Sequence, residues 1–478
     1  MSIFKTLKSA SMASGRLAMA PNKTTVLAGF LLLIFFIFPQ IPIQIRFIVP
    51  IVALLCCMQL ELLREKIVWW LLGFTIYVSI VGIMVSQFTG EGSVSDALYG
   101  IKAMALSLVA LIFARRANLL YFVILLSVIL VGCATGMVLN SKFTSIYSRI
   151  PFPIFSERDL FIRGASELTS ERFGGFTYEA GVAGGMSAFF LLFLFAIAIL
   201  LFSNHKLRAE TLGVAPIGAA AAIAFALTIY LSKTKSSLFV FVGALLVYSI
   251  YSLFAGRKAG AVWIKGAVIV SFVVGLFSLP VALNALKNTS MGEYINREVD
   301  NFYLLVSRGF DRTEGLGLNT RIECAKKAIY ALPYRPTGGG HSGGLYYVGP
   351  ILEKINSTPE MDFFHNQGVF DGYKSALFNI IGQGGVVSLI LLGYVWTGIY
   401  RQLTRTGLDG AGGAAVILIA GLILLGLTVE LLPYLEMTFL AYGFSSMPYL
   451  ARIGMAAQPI REHNSKKPLR QPHIESVA

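Results

Sequence analysis

Apolar residues in this chain come in runs of the length that crosses a bilayer, and that feature decides what it can fold into. A hydrocarbon core of roughly 30 Å takes a helix of about 20 mostly apolar residues, because it holds no water to satisfy open backbone. About twelve such blocks can be marked on this criterion. They run over 26–38, 47–63, 67–86, 97–114, 119–139, 182–202, 214–231, 236–254, 262–283, 376–400, 413–432 and 435–450. The first is short and follows a basic stretch, as a signal sequence does, yet no small-x-small cleavage site comes after it, so it is read as a span. Composition agrees, with 56% of the 478 residues apolar and 13% charged, against roughly 25% charged in soluble domains. The expected fold is therefore an all-α polytopic membrane protein of about 12 transmembrane helices.

Charge gives the blocks a direction. With the N-terminus inside, the inner connections are the N-terminal arm, the turns around Arg64, Arg115, Lys206, Arg257 and Arg401, and the C-terminal tail. Together they hold 20 basic and six acidic residues, a surplus of 14 that equals the net charge of the whole chain. The opposite face sums to zero. This is the positive-inside bias, and it puts both termini in the cytoplasm. Positive charge spread over short turns forms no continuous patch, so no nucleic-acid partner is expected. The chain divides into an arm (1–25), nine spans (26–283) interrupted by an outer loop (140–181), a large outer loop (284–375), three spans (376–450) and a basic tail (451–478) whose polar composition reads as disordered. The 4 cysteines show neither a disulfide framework nor a metal-ligand spacing.

Long loops usually carry function, and the two outer ones hold most of the residues able to do chemistry. In the larger, Asn319 and Thr320 can cap a short amphipathic helix carrying Ile322, Ala325 and Ile329, which Pro333 and Pro336 stop. A glycine-rich run over 338–344 follows, either a flexible loop or a place where backbone amides approach an anion or a sugar. His341 and His365 are the outer histidines. Histidine moves protons near neutral pH, although a loop histidine is commonly an ordinary surface residue. His365, after Phe363 and Phe364 and shortly before a span, falls at the lip of the bundle.

Lys233 and Lys235, in the turn Ser232-Lys233-Thr234-Lys235-Ser236, break the inside bias that the other short turns obey. They either snorkel toward headgroups or form an anion site suited to the phosphates of a lipid carrier. Arg172, Arg321 and Arg335 offer guanidinium forks for phosphate or sugar oxygens, or serve as loop salt-bridge partners. Glu179, ahead of a span, can cap a helix dipole or accept a proton. Arg46, Lys102, Glu430 and Glu436 map near outer span ends and read as structural ion partners. No carboxylate cluster in the outer loops suits Mg²⁺ or Mn²⁺, so neither metal nor cofactor is expected.

In sequence order these elements resemble the O-antigen ligase and O-antigen polymerase superfamily of bacterial inner-membrane glycosyltransferases. Arg172-Phe173-Gly174-Gly175-Phe176 with Tyr178-Glu179-Ala180-Gly181 is similar to that family's Arg-x-x-Gly-Phe segment and the pair opening the next span, with Ala180 where proline is usual. Ser232-Lys233-Thr234-Lys235-Ser236 resembles its Thr-x-Ser-Arg turn, with Lys235 in place of arginine. Arg321, the stretch Tyr334-Arg335-Pro336-Thr337-Gly338-Gly339-Gly340, and His365-Asn366 followed by Gly382 to Gly385 resemble its remaining motifs.

The resemblance implies a GT-C-like architecture acting at the periplasmic face. It implies a donor glycan on undecaprenyl diphosphate, a glycan acceptor, contact with membrane lipid, and association with chain-length-regulating or export proteins. By the same resemblance Arg172, Arg321, Lys235 and Lys233 hold the diphosphate, and His365, with Glu179 as the alternative, is the base. Arg335, His341 and Asn366 then face glycan. Glu179 favours a polymerase of O-antigen or exopolysaccharide repeats; a ligase delivering polymer to lipid A core is the alternative. A flippase is the rival of another class, and it calls for ionisable groups near the bilayer midplane.

Overall fold

Helix is the only regular structure among the described residues, as a lipid-embedded chain with no closed barrel requires. The computed structural model describes residues 23–38, 51–52, 54–57, 60–89, 94–147, 173–177, 180–204, 208–256, 260, 266–267, 270, 329, 332–340, 375–428 and 434–457. In chain order the helices are α1 (Lys23–Ile37), α2 (Lys66–Thr89), α3 (Val94–Arg116) and α4 (Leu119–Lys142). They continue with α5 (Ala180–Ser203), α6 (Arg208–Ser232), α7 (Lys235–Phe254), α8 (Ala376–Arg405), α9 (Ala411–Thr428), α10 (Tyr434–Ser445) and α11 (Pro448–Ala457). A 3₁₀ turn, Leu60–Arg64, leads into α2, a single helical turn, Thr144–Tyr147, follows α4, and a second 3₁₀ turn, Gly175–Thr177, stands ahead of α5.

Among the described residues, 7 helices are long and apolar enough to cross a membrane, namely α2 and α4 to α9. α1 is apolar but has only 15 residues. The block at 435–450 is two helices instead of one: α10 stops at Ser445, and Pro448, favoured at a first helical position, opens α11. Part of the block at 47–63, most of the block at 262–283, most of the large outer loop and the tail from residue 458 lie outside the described residues.

α5 occupies the centre. Of its 24 residues 18 are buried, on every side of the helix, so it keeps no broad face for lipid. α4, α6, α7 and α9 pack around it. Lipid tails are as apolar as leucine, so such helices associate through close packing and aromatic edges. Phe193 lies edge-on to Phe444 of α10 at 5.0 Å, Phe122 of α4 meets Phe444 at 5.2 Å, and Phe36 of α1 meets Phe190 at 5.1 Å. Ile76, Ile80, Ile223, Phe239 and Leu253 of α2, α6 and α7 are exposed and form the lipid-facing surface.

Polar ties fasten the ends. Arg115, at the end of α3, pairs with Glu65 just before α2. Asn204, just after α5, donates its side-chain N–H to the carbonyl of Asp409 (2.9 Å) and accepts from that residue's amide (3.2 Å). At the opposite end Ser375 donates to the carbonyl of Gly426 (2.5 Å), pinning the start of α8 to the end of α9. Within the bundle, Lys102 of α3 and Glu436 of α10 are 4% and 3% exposed, and the lysine acts electrostatically on the carboxylate. Buried charges persist only when compensated, and these two lie on helices that pack against each other.

Candidate functional site

The end of the bundle opposite the Arg115–Glu65 tie holds two clusters built from the motifs singled out above. The first lies between α6 and α7. α6 ends at Ser232 and α7 begins at Lys235, leaving only Lys233 and Thr234 to reverse the chain. So tight a turn puts Lys233 in the left-handed region, at φ 47°, where a residue with a Cβ carries a cost of about 1 kcal/mol. Thr234 is extended, at φ −98° and ψ 120°. The Oγ atoms of Ser232 and Thr234 are 2.9 Å apart, those of Thr234 and Ser237 are 2.6 Å apart, and Ser237 donates to the carbonyl of Thr234 at 2.7 Å. All three side chains are buried. This hydroxyl chain supplies the partners that a buried turn cannot find in lipid. Gly184 of α5 lets it in, since a Cβ there would collide with Thr234 Oγ1.

The segment 173–177 wedges against the same turn. The amide of Phe173 donates to the carbonyl of Leu231 at 3.2 Å, at the last turn of α6. Tyr147 Oη donates to the carbonyl of Gly175 at 2.7 Å, and the Phe176 ring lies 5.0 Å from that of Phe38. Three motif regions thus converge: the chain following Arg172, the start of α5 following Glu179, and the lysine turn. Ala183, Met137 and Leu231, with Phe173 and Val138 against them, form the small apolar core beneath.

The second cluster is a break in α8. Gly385 has φ 56° and ψ −135°, interrupting the helix nine residues after its first residue, or about 14 Å along its axis. Into the break fits the stretch after Arg335. The amide of Val386 donates to the carbonyl of Pro336 and that of Gly339 to the carbonyl of Gly382, both at 2.9 Å, and the amide of Gly338 donates to the carbonyl of Arg335 at 3.0 Å. Ser388 Oγ reaches back to the carbonyl of Ile380 (2.6 Å), and Tyr77 Oη of α2 donates to the carbonyl of Thr337 (2.6 Å). Gly340 lies so close to α2 that a Cβ would strike the backbone of Gly82. Irregular backbone at this depth survives only when protein covers and satisfies it, and Gly338, Gly339 and Gly340 are all buried. The flexible-loop reading of the glycine run is therefore corrected for these three residues: they plug a broken helix. The rest of the run lies outside the described residues.

Of the site residues read from sequence, Lys233 is half-buried on the first cluster and Arg335 half-buried on the second. Both take part in side-chain or backbone interactions. Lys235 is placed by its backbone, at the first position of α7. Arg172, Glu179, Arg321, His341, His365 and Asn366 lie outside the described residues. Sequence reasoning did not single out the Ser232–Thr234–Ser237 hydroxyls, although four hydroxyl residues in six at the rim of an apolar block are a usable signal. It also passed over Tyr77, Gly82 and Ser388, which only the tertiary fold brings to the plug. Chemically, the first cluster offers an ammonium held on a rigid turn beside a buried hydroxyl chain, and the second offers a closed backbone joint. No protein-family model matches the chain, and no curated protein matches it.

Proposed function

We propose that this chain is a glycosyltransferase of the bacterial inner membrane that polymerises glycan repeats carried on undecaprenyl diphosphate, working at the periplasmic face. One observation carries the reading. The hydrogen bond from the Phe173 amide to Leu231 sets the chain after Arg172 against the Lys233–Lys235 turn, and these are the two cationic motifs that a lipid-borne diphosphate needs on one side of the bundle.

In this reading Arg172, Arg321, Lys235 and Lys233 bind the diphosphate, and Arg335, His341 and Asn366 face the sugars. His365 takes the proton from the acceptor hydroxyl as its oxygen bonds to the anomeric carbon, with Glu179 able to serve in its place. The bond from that carbon to the diphosphate breaks, and the electron pair leaves on the carrier. The cations stabilise the departing charge, a kind of contribution whose single-donor loss typically lowers rate about 10²- to 10³-fold.

The test is polymer formation by purified protein from a lipid-linked oligosaccharide, followed on gels. Arg172→Ala should lower the rate about 10²- to 10³-fold, and His365→Ala should abolish polymer at normal expression. Single repeats left on the surface lipid of a deletion strain mark a polymerase. Free long polymer on the carrier would instead mark a ligase acting on lipid A core. Lipid-linked repeats trapped at the cytoplasmic face of the deletion strain, with no polymer made, would mark a transporter and overturn the proposal.

A further inference from the structure

A groove of about 390 Å³ runs between α2 and α8, lined by Lys66, Trp69, Trp70, Gly73, Phe74, Val387 and Leu391. It starts at the end of the bundle that carries the Arg115–Glu65 pair, away from the lysine turn, and runs inward to the α8 break. Three features distinguish it from an ordinary lipid-facing furrow. The first is charge. Lys66 is exposed at the mouth, the neighbouring carboxylate of Glu65 is taken by Arg115, and the first turn of α2 adds the positive end of a helix dipole.

The second feature is a fixed aromatic wall. Trp69 and Trp70 are 57% and 42% exposed, yet Trp69 Nε1 donates to the carbonyl of Leu63 at 2.7 Å. The Trp70 ring stacks on Tyr394 at 5.8 Å. Tryptophan held this way belongs at headgroup level. The third is Gly73. It sits inside α2, where glycine costs about 1 kcal/mol relative to alanine, and a Cβ there would meet nothing within 4 Å. Among the described residues no neighbour requires this glycine; its effect is to leave the groove open.

We infer that this groove seats one anionic phospholipid, its phosphate against Lys66 and an acyl chain along Gly73 to Phe74, Val387 and Leu391. From Lys66 to Phe74 the helix rises about 12 Å, close to the depth of one leaflet of a roughly 30 Å core. The inner end of the groove abuts the α8 break, because the Phe74 ring lies against Gly384. A bound chain thus packs beneath the glycine plug and supports it. The inference does not depend on the proposed catalysis.

Its test uses the full chain in phosphatidylcholine vesicles containing either brominated phosphatidylglycerol or brominated phosphatidylcholine, with quenching of tryptophan fluorescence as the readout. In the wild type, half-maximal quenching should need about fivefold less of the anionic lipid, the effect of one basic side chain at an anionic surface. Lys66→Gln should remove that preference, and Gly73→Leu, which fills the groove and favours helix, should weaken quenching by both lipids. Arg64→Gln, outside the groove lining, should leave the preference intact. Equal quenching by the two lipids in the wild type overturns the inference. So does a preference that survives Lys66→Gln, one lost equally with Arg64→Gln, or quenching unchanged in Gly73→Leu.

Discussion

The α6–α7 turn and the α8 break face the same difficulty, irregular backbone inside a bundle surrounded by lipid, and meet it in opposite ways. At the turn, side-chain oxygens carry the hydrogen bonds, and Ser232, Thr234 and Ser237 form a chain of hydroxyls. At the break, most of the bonding is backbone to backbone, Pro336 and Gly339 against Val386 and Gly382, with glycine where the two segments approach. Hydroxyls can be trimmed one atom at a time while their neighbours adjust. A joint of bare backbone has nothing to trim, and it tolerates no added atom.

That contrast is open to a graded set of substitutions, each read as thermal stability of the purified protein in detergent. Gly340→Val should do most damage. It drives a branched side chain into Gly82 and forces φ 71° on a residue with a Cβ, so the loss should be about 4 kcal/mol or more, close to failure to fold. A stable Gly340→Val protein would break the comparison. Thr234→Val keeps the shape but strips the oxygen that both serines use; about 1–2 kcal/mol should go, while Thr234→Ser should restore most of it. Ser388→Ala removes one of the two side-chain bonds at the break, the other being that of Tyr77 to Thr337, and a loss of about 0.5–1 kcal/mol is expected. A Ser388→Ala loss exceeding that of Thr234→Val would show that the break also relies on side chains.

How much of this is legible in the chain differs between the same two regions. Apolar runs ending in basic turns reveal α4 to α9, because a membrane helix must satisfy its backbone internally whatever surrounds it. The lysine turn is equally plain, since Lys233 and Lys235 violate a strong charge bias. The plug is not. Gly338 to Gly340 and Gly382 to Gly385 are more than 40 residues apart, and a glycine run carries the same composition whether it is packed or loose. Only the approach of α2, through Tyr77 and Gly82, separates the two states. Lys102 and Glu436 stand between these cases: their isolation among apolar residues calls for a partner, but which helix supplies it depends on the packing of α3 against α10.

The near-complete enclosure of α5 also bears on how the protein is made. Its neighbour α9 begins more than 200 residues further along the chain, which at ribosomal speeds of about 5–20 residues per second is a delay of roughly 10–40 s. Throughout that interval the nascent α5 must rest against lipid or insertion machinery on the side that α9 will later occupy, so the bundle closes around its own centre only near the end of synthesis.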